Sequence, residues 1–462
     1  MTLDALGPDS SVELREPHGA VGTVDAPRRG RWIDVWDPEN EQFWATTGAK
    51  VARRNLWPSI FAEFLGFSVW QLWSIVVVSL PAAGFHLTTD QLFWLVAVPS
   101  LVGATLRLPY TFAVPKFGGR NWTLVSALLL LIPTCGLAYV VSRPETPFWA
   151  MLLVAATAGF GGGNFASSMT NISFFYPEKS KGWALGINAA GGNLGVAVVQ
   201  LLVPIVIVAG AGLTLNRAGL MWLPLIVLAA VLAWRLMANL SAATSSFRAS
   251  IAAAKRAHTW VISFLYIGTF GSFIGFSAAF PLLIKTSFPE IAAVKIAFLG
   301  ALVGSVARPL GGKLSDKFGG ARVTVAAFVV MGAGVLAAIS SLEAGSFPAF
   351  LASFLVLFVA SGAGNGSTYR MIPAVFRTTT KDIDGSTDLA RARREAAACI
   401  GIASAIGAYG GFGVPRGFAM STAHFGSLVP ALYTFCGFYV VCLLVTWFCY
   451  LRPGGPLTKE HV

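Results

Sequence analysis

Long apolar runs alternate with short polar breaks along most of the chain. About twelve of these runs reach the roughly 20 residues that a helix needs to cross the hydrocarbon core of a bilayer. They start near Trp57, Thr89, Trp122, Phe148, Lys181 and Gly219, and then near His258, Ala292, Ala321, Phe347, Ala396 and Leu428. Several approach thirty residues, which suits tilted or bent helices. The prolines inside them (Pro109, Pro204, Pro309, Pro373, Pro415) are tolerated where neighbouring helices satisfy the freed backbone groups. The pattern predicts an all-α membrane protein of twelve transmembrane helices.

Composition sharpens this and excludes other classes. Hydrophobic residues make up 55% of the 462 and charged residues only 12%, about half the roughly 25% usual in soluble chains. The five cysteines show neither paired spacing nor an even count, so no disulfide or zinc framework is expected. The net charge of +12 would raise the question of nucleic acid in a soluble protein, but here the basic residues fall in alternate loops. With the N-terminus inside, the cytoplasmic side holds Lys50, Arg53, Arg54, Lys116, Arg120, Lys179, Lys181, Arg248, Lys255, Arg256, Lys313, Lys317, Arg322 and the cluster 377–394. The opposite loops hold Arg143, Arg217, Lys285, Lys295 and Arg416. By the positive-inside rule both termini are cytoplasmic, and the bilayer, not nucleic acid, accounts for the charge. The expected organisation is a polar tail over 1–56, a six-helix bundle over 57–237, a basic linker over 238–257, a second bundle over 258–452 and a short tail over 453–462.

The two bundles read as duplicates. A shift of 201 residues, without gaps, superposes Gly103 on Gly304, Arg107 on Arg308, Lys116-Phe117-Gly118-Gly119 on Lys317-Phe318-Gly319-Gly320, and Gly161, Gly163 and Asn164 on Gly362, Gly364 and Asn365. Beyond the charged loop 377–395 the register becomes 215 and pairs Gly192 with Gly407 and Gly195 with Gly410. Parallel repeats about an axis along the membrane normal, with a site between them near the midplane, are the geometry of alternating-access transporters. A channel is the competing reading, and a sensor on a transporter-like frame a third.

Arg107 and Arg308 are the sharpest chemical signal. An arginine at helix-centre depth costs about 2.5–3.5 kcal/mol on insertion scales, and two of them at about 7 Å with an effective dielectric of about 20 repel by roughly 2.4 kcal/mol. From Gln91 to Pro177 the chain carries one acid, Glu145, in a loop, so the pair calls for a mobile anion. Two planar, forked guanidiniums grip a small planar oxyanion through charge-assisted bonds. That fits nitrate or nitrite better than a bulky metabolite, with bicarbonate, formate and phosphate still open. The alternative is that each arginine snorkels or bonds backbone carbonyls, which is the expected role of Arg370 near its helix end.

Other residues are candidates for the same pocket. The glycine-rich stretches around Gly161 and Gly163 and around Gly362 and Gly364 let helices approach closely and serve either packing or sliding. Tyr266 and Phe270, at i and i+4, share a helical face, and Phe165 follows the first glycine run. Asn193 can donate to an oxyanion or bond a neighbouring helix. Glu63 is the one carboxylate well inside a predicted span; an ion pair with Arg53 or Arg54 is its expected role, and uptake of a proton the other. No motif for an enzyme, nucleotide, cofactor or metal appears.

The loop Gly311-Gly312-Lys313-Leu314-Ser315-Asp316-Lys317-Phe318-Gly319-Gly320-Ala321-Arg322 resembles the loop motif between paired helices of the major facilitator superfamily, although the first-half loop lacks the aspartate. The stretches 158–177 (AGFGGGNFASSMTNISFFYP) and 362–368 (GAGNGST) resemble the two signature segments of the nitrate/nitrite porter family, NarK type, a resemblance running from about Trp36 to the last helix. It implies a twelve-helix major facilitator fold in the inner (cytoplasmic) membrane and transport of nitrate and nitrite. It implies that Arg107 and Arg308 clamp the anion, that Phe165 and Phe270 sandwich its plane, and that Asn193 and Tyr266 add polar contacts. The family contains exchangers and proposed proton-coupled importers. With no acid near the arginines in sequence, an empty cavity is costlier to close than a loaded one, and nitrate/nitrite exchange is the expected mode, with proton symport the alternative.

Overall fold

The computed structural model describes residues 31–210, 212–243, 247–380 and 388–453, so residues 1–30 of the tail expected over 1–56, and residues 454–462 of that expected over 453–462, lie outside the described residues. Among these residues, eleven helices are long and apolar enough to cross a membrane. A twelfth span, α1, is formed by Glu41–Trp70 and Leu72–Ser79, bent by 41° at Gln71. The others are α2 (Thr89–Phe117), α3 (Gly119–Val140), α4 (Phe148–Phe175), α5 (Glu178–Ile207) and α6 (Arg217–Leu236) in the first half. The second half holds α7 (Ala257–Ser287), α8 (Ala293–Phe318), α9 (Gly320–Glu343), α10 (Phe347–Thr379), α11 (Arg391–Phe425) and α12 (Val429–Leu451). A short helix, Phe247–Ala254, lies in the linker.

The internal repeat is visible in the backbone. Gly118 and Gly319, one repeat apart, end α2 and α8 at φ 85° and 90° with ψ near 140°, a region essentially restricted to glycine. Both loops turn sharply there into the next helix. In the first half Arg120 donates from Nε and Nη2 to the Trp234 carbonyl at 3.1 and 3.0 Å, tying this loop to the end of α6. In the second half Asp316 pairs with Arg370 at 2.5 Å. Arg370 is about half exposed there, a surface ion pair rather than a residue of the interior.

The halves meet where α2 faces α11, α5 faces α8, and the distal part of α1 faces α7. Among the described residues, the hydrogen bonds found joining them run from the level of Arg107 toward the end away from the basic loops. They are Arg107 to the Ser404 carbonyl (2.7 Å), Thr105 with Tyr409 (2.9 Å), Gln200 to the Ser277 carbonyl (2.7 Å) and Arg416 to Asp90 (2.8 Å). The Arg416 guanidinium also lies 4.1 Å from the Trp94 ring. At the basic end, by contrast, Glu395 is held by Arg256 (2.9 Å) and Arg391 (2.8 Å) within the second half. Among the described residues, the hydrogen bonds found between the halves therefore lie at the end opposite the basic loops.

Residues 31–48 do more than precede the first span. Trp32–Ile33 (β1) pairs in parallel with Asn239–Leu240 (β2), and the Trp36 indole donates to the Phe174 carbonyl at 3.1 Å while its ring meets Phe175 edge-on. Ile33, Trp36 and Trp44 cover an apolar patch formed by Leu56, Ile172, Phe175 and Tyr176. A segment read as polar is thus docked through its few scattered apolar side chains.

Candidate anion-binding site

Arg107 on α2 and Arg308 on α8 are buried, at 0% and 7% exposure. Arg107 donates from Nε to the Gly162 carbonyl at 3.1 Å and from Nη1 across the interface to the Ser404 carbonyl. Its Nη2 is buried without a hydrogen-bond partner, and so is Nη1 of Arg308. Neither arginine enters an ion pair among the described residues. An unmet buried donor costs about 1–3 kcal/mol and more when charged, so the two free guanidinium nitrogens are the strongest local demand for an acceptor. Gly162 makes this approach possible: a Cβ there would stand 2.5 Å from Trp70 Cε2, displacing the indole that covers the Arg107 guanidinium at 5.4 Å.

Aromatic faces line the space beside the guanidiniums. The rings of Phe165 on α4 and Phe270 on α7 are inclined by only 23°, with centroids 6.4 Å apart. A planar group between two rings needs about 7–8 Å at ordinary carbon contact distances, so at this centroid distance the two rings stand too close to hold a planar ion in the slot between them. Arg107 Cζ lies 4.7 Å from the Phe165 centroid and 5.0 Å from that of Phe270. Together these exceed the ring separation, so the guanidinium stands beside the slot rather than in it. Arg308 Cζ reaches Phe165 at 5.9 Å and Tyr369 at 5.8 Å. Phe270 lies in a wide turn, Ile267–Gly271, with π-helical bonding; such turns are frequent at functional sites, and the apolar pattern predicts only regular helix there.

Polar side chains complete the surroundings. The Tyr266 hydroxyl donates to Asn365 Oδ1 at 2.8 Å and its ring stacks on Phe270 at 5.2 Å. Asn365 keeps a buried, unpartnered Nδ2, a donor that sequence reading passed over, although its pairing with Asn164 in the repeat pointed to it. Asn193 is fully buried and neither atom of its amide has a partner, so it does not bond a neighbouring helix. Trp70 also belongs here, and nothing in the sequence distinguishes it among 14 tryptophans.

Glu63 is placed differently from the ion-pair expectation. Arg53 is exposed and Arg54 donates to the Leu236 carbonyl at 2.8 Å; neither reaches the carboxylate. Glu63 is fully buried, accepts from the Ser168 hydroxyl at Oε2 (2.7 Å), and has no partner at Oε1. Helix spacing assigns a residue to a face, and this face turns toward α4 and α5 instead of the basic loop. Ser168, which bonds the carboxyl, stands one helical turn from Phe165, whose ring both arginines approach, so the region around the arginines is not free of acid.

The four repeat glycines meet neighbours inside their own halves. A Cβ at Gly161 would run into the Gly66 carbonyl of α1, and one at Gly362 into the Gly304 carbonyl of α8. At Gly163 it would stand 3.0 Å from Leu106 Cβ, and at Gly364 2.8 Å from Thr269 Cγ2. These contacts are packing within a bundle. A comparable contact between the halves is at Gly411, where a Cβ would come within 2.8 Å of Ser100 Oγ.

Comparison with known proteins adds to this geometry. Residues 56–415 match the family model described as Major Facilitator Superfamily. The chain is 46% identical over 445 residues to the nitrate/nitrite transporter NarU of Salmonella typhimurium, covering 91% of this chain and 96% of that one. It is 37% identical over 455 residues to the probable nitrate/nitrite antiporter NarK2 of Thermus thermophilus, covering 92% and 98%. Among solved structures, the inward-open xylose transporter XylE from E. coli superposes with a TM-score of 0.65 at 14% identity, covering 88% of this chain and 99% of that one.

Proposed function

Because the chain belongs to the major facilitator superfamily and, within it, to the nitrate/nitrite porters, we propose that it moves nitrate and nitrite across the inner (cytoplasmic) membrane by alternating access, with the anion held between Arg107 and Arg308. The observation that carries this is the pair of buried, unpartnered guanidinium nitrogens, one from each half. The anion's oxygens accept from Arg107 Nη2 and Arg308 Nη1, and its plane enters between Phe165 and Phe270, whose rings part to admit it. Asn193 orients it with an amide not otherwise engaged, and Tyr266 acts through Asn365, whose Oδ1 it holds while Nδ2 stays free to donate. Since the arginines come from opposite halves, the anion bridges the seam on which the halves rock. With both termini cytoplasmic, the latch at Asp90 and Arg416 faces outward, and the conformation described is closed on the outer side.

Without a proton gradient, exchange is the expected dominant mode, because the anion lowers the positive charge of a poorly hydrated core and the loaded carrier closes more easily than the empty one. The test is uptake of labelled nitrate into proteoliposomes with or without nitrite trapped inside. We expect internal nitrite to accelerate uptake severalfold and the rate to saturate with external nitrate. Uptake indifferent to internal nitrite and linear in nitrate would indicate a channel, and specific binding without flux a sensor. Either result would remove this reading.

A further inference from the structure

We propose that Glu63 is a proton-binding residue of the transport cycle, taking up a proton as the anion binds between Arg107 and Arg308; this rests on the anion site proposed above. Glu63 is fully buried and belongs to no ion pair among the described residues. Its Oε2 accepts from the Ser168 hydroxyl, which in turn accepts from Asn188 Nδ2 at 2.8 Å. Its Oε1 and Asn188 Oδ1 are both buried and unpartnered. Ser168 sits one helical turn from Phe165 on α4, so the carboxyl and the ring slot share a support. A buried carboxylate with a free oxygen and no neutralising cation is a place where charge is removed most simply by a proton.

The charged and titratable groups around it are few. α4 presents Ser168 and no charge along 159–175. α5 presents Asn188 and Gly192, its charged residues Glu178, Lys179 and Lys181 lying at the far basic end. Arg120 of α3 and Arg235 of α6 lie at that end too, Arg120 bonded to the Trp234 carbonyl. α2 contributes Tyr110 and Arg107, with Asp90 and Lys116 at its two ends. Across the seam α8 contributes Arg308. The charges that set the balance are therefore Glu63, Arg107 and Arg308, brought together on α4 by Ser168, which bonds Glu63, and by Phe165, whose ring both arginines approach. An anion between the arginines cancels part of the positive field that favours the charged form of Glu63, so anion and proton favour one another's binding, and linkage makes the effect reciprocal.

Charge accounting shows what this does for transport. With Glu63 ionised, the empty core carries one net positive charge. Loaded with a monovalent anion and a proton on Glu63, it carries one again, so the empty and the doubly loaded carrier meet the same electrostatic cost of closure. Glu63→Gln keeps an acceptor for Ser168 but leaves the empty core with two positive charges, restricting the protein to exchange.

The experiment is calorimetric titration of nitrate into the purified protein in buffers of different ionisation enthalpy across about pH 5 to 8. We expect wild-type heats to differ between buffers in the sense of proton uptake, and Glu63→Gln heats to coincide while nitrate still binds. In proteoliposomes, an inward proton gradient without internal nitrite should drive net nitrate uptake in wild type, lost in Glu63→Gln with exchange retained. Nitrate binding by wild type without proton uptake anywhere in that range would overturn the proposal while sparing the anion site, as would undiminished uptake in Glu63→Gln. No nitrate binding in any buffer would instead overturn the anion site itself.

Discussion

Replacing Arg107 or Arg308 by lysine is expected to reduce nitrate affinity roughly a hundredfold or more and to stop transport, in protein that still folds. Lysine keeps the charge and enough length to stay in the cavity, but it replaces a planar fork with a single ammonium. A hydrogen bond to a charged partner contributes about 1.5–3 kcal/mol, and the fork supplies donors that the ammonium cannot align. In Arg107 the same change removes the bond to the Ser404 carbonyl, which joins the halves, so Arg107→Lys should also weaken the latched conformation. Equilibrium nitrate binding, with a monodisperse elution profile as the folding control, checks this. Near-normal affinity in both lysine variants would refute the clamp.

Leucine at Gly161 or Gly362 should abolish accumulation of folded protein, because in each case the first added carbon meets a backbone carbonyl of a helix in the same half. Overpacking costs about 1–3 kcal/mol when side chains can yield, and a backbone carbonyl yields least. At Gly163 and Gly364 the nearest atoms belong to the side chains of Leu106, Tyr110, Thr269 and Ala327, and the loss should be smaller. Thermal stability and yield in detergent, measured beside nitrate binding, separate packing from sliding. Well-folded Gly161→Leu and Gly362→Leu proteins that bind nitrate but do not transport it would make these faces moving contacts after all.

What was legible in the sequence follows from what the bilayer forbids. A buried arginine in an apolar run must be explained by a partner or a ligand, so Arg107 and Arg308 stood out, and their equal places in the repeat assigned them to opposite halves. The repeated Lys-Phe-Gly-Gly run marked equivalent places in the two halves, and the structure puts a turn at Gly118 and at Gly319 there. Spacing along a helix gives a face without saying which helix that face meets. That is why Glu63 was expected beside Arg53 or Arg54 and is instead bonded to Ser168, and why the repeat glycines admitted both sliding and packing. Asn365 was hidden because its role depends on Tyr266 from a distant helix. The docking of residues 31–48 was hidden because Ile33, Trp36 and Trp44 follow no period.

The central claim is that one anion sits between the two arginines, and the most direct test is a density map of the protein at saturating nitrate compared with one in its absence. The account predicts a single planar feature contacting Arg107 Nη2 and Arg308 Nη1, with the Phe165 and Phe270 rings parted around it beyond their present 6.4 Å. An unchanged ring slot, with both guanidinium nitrogens still unpartnered and nitrate bound elsewhere, would contradict it.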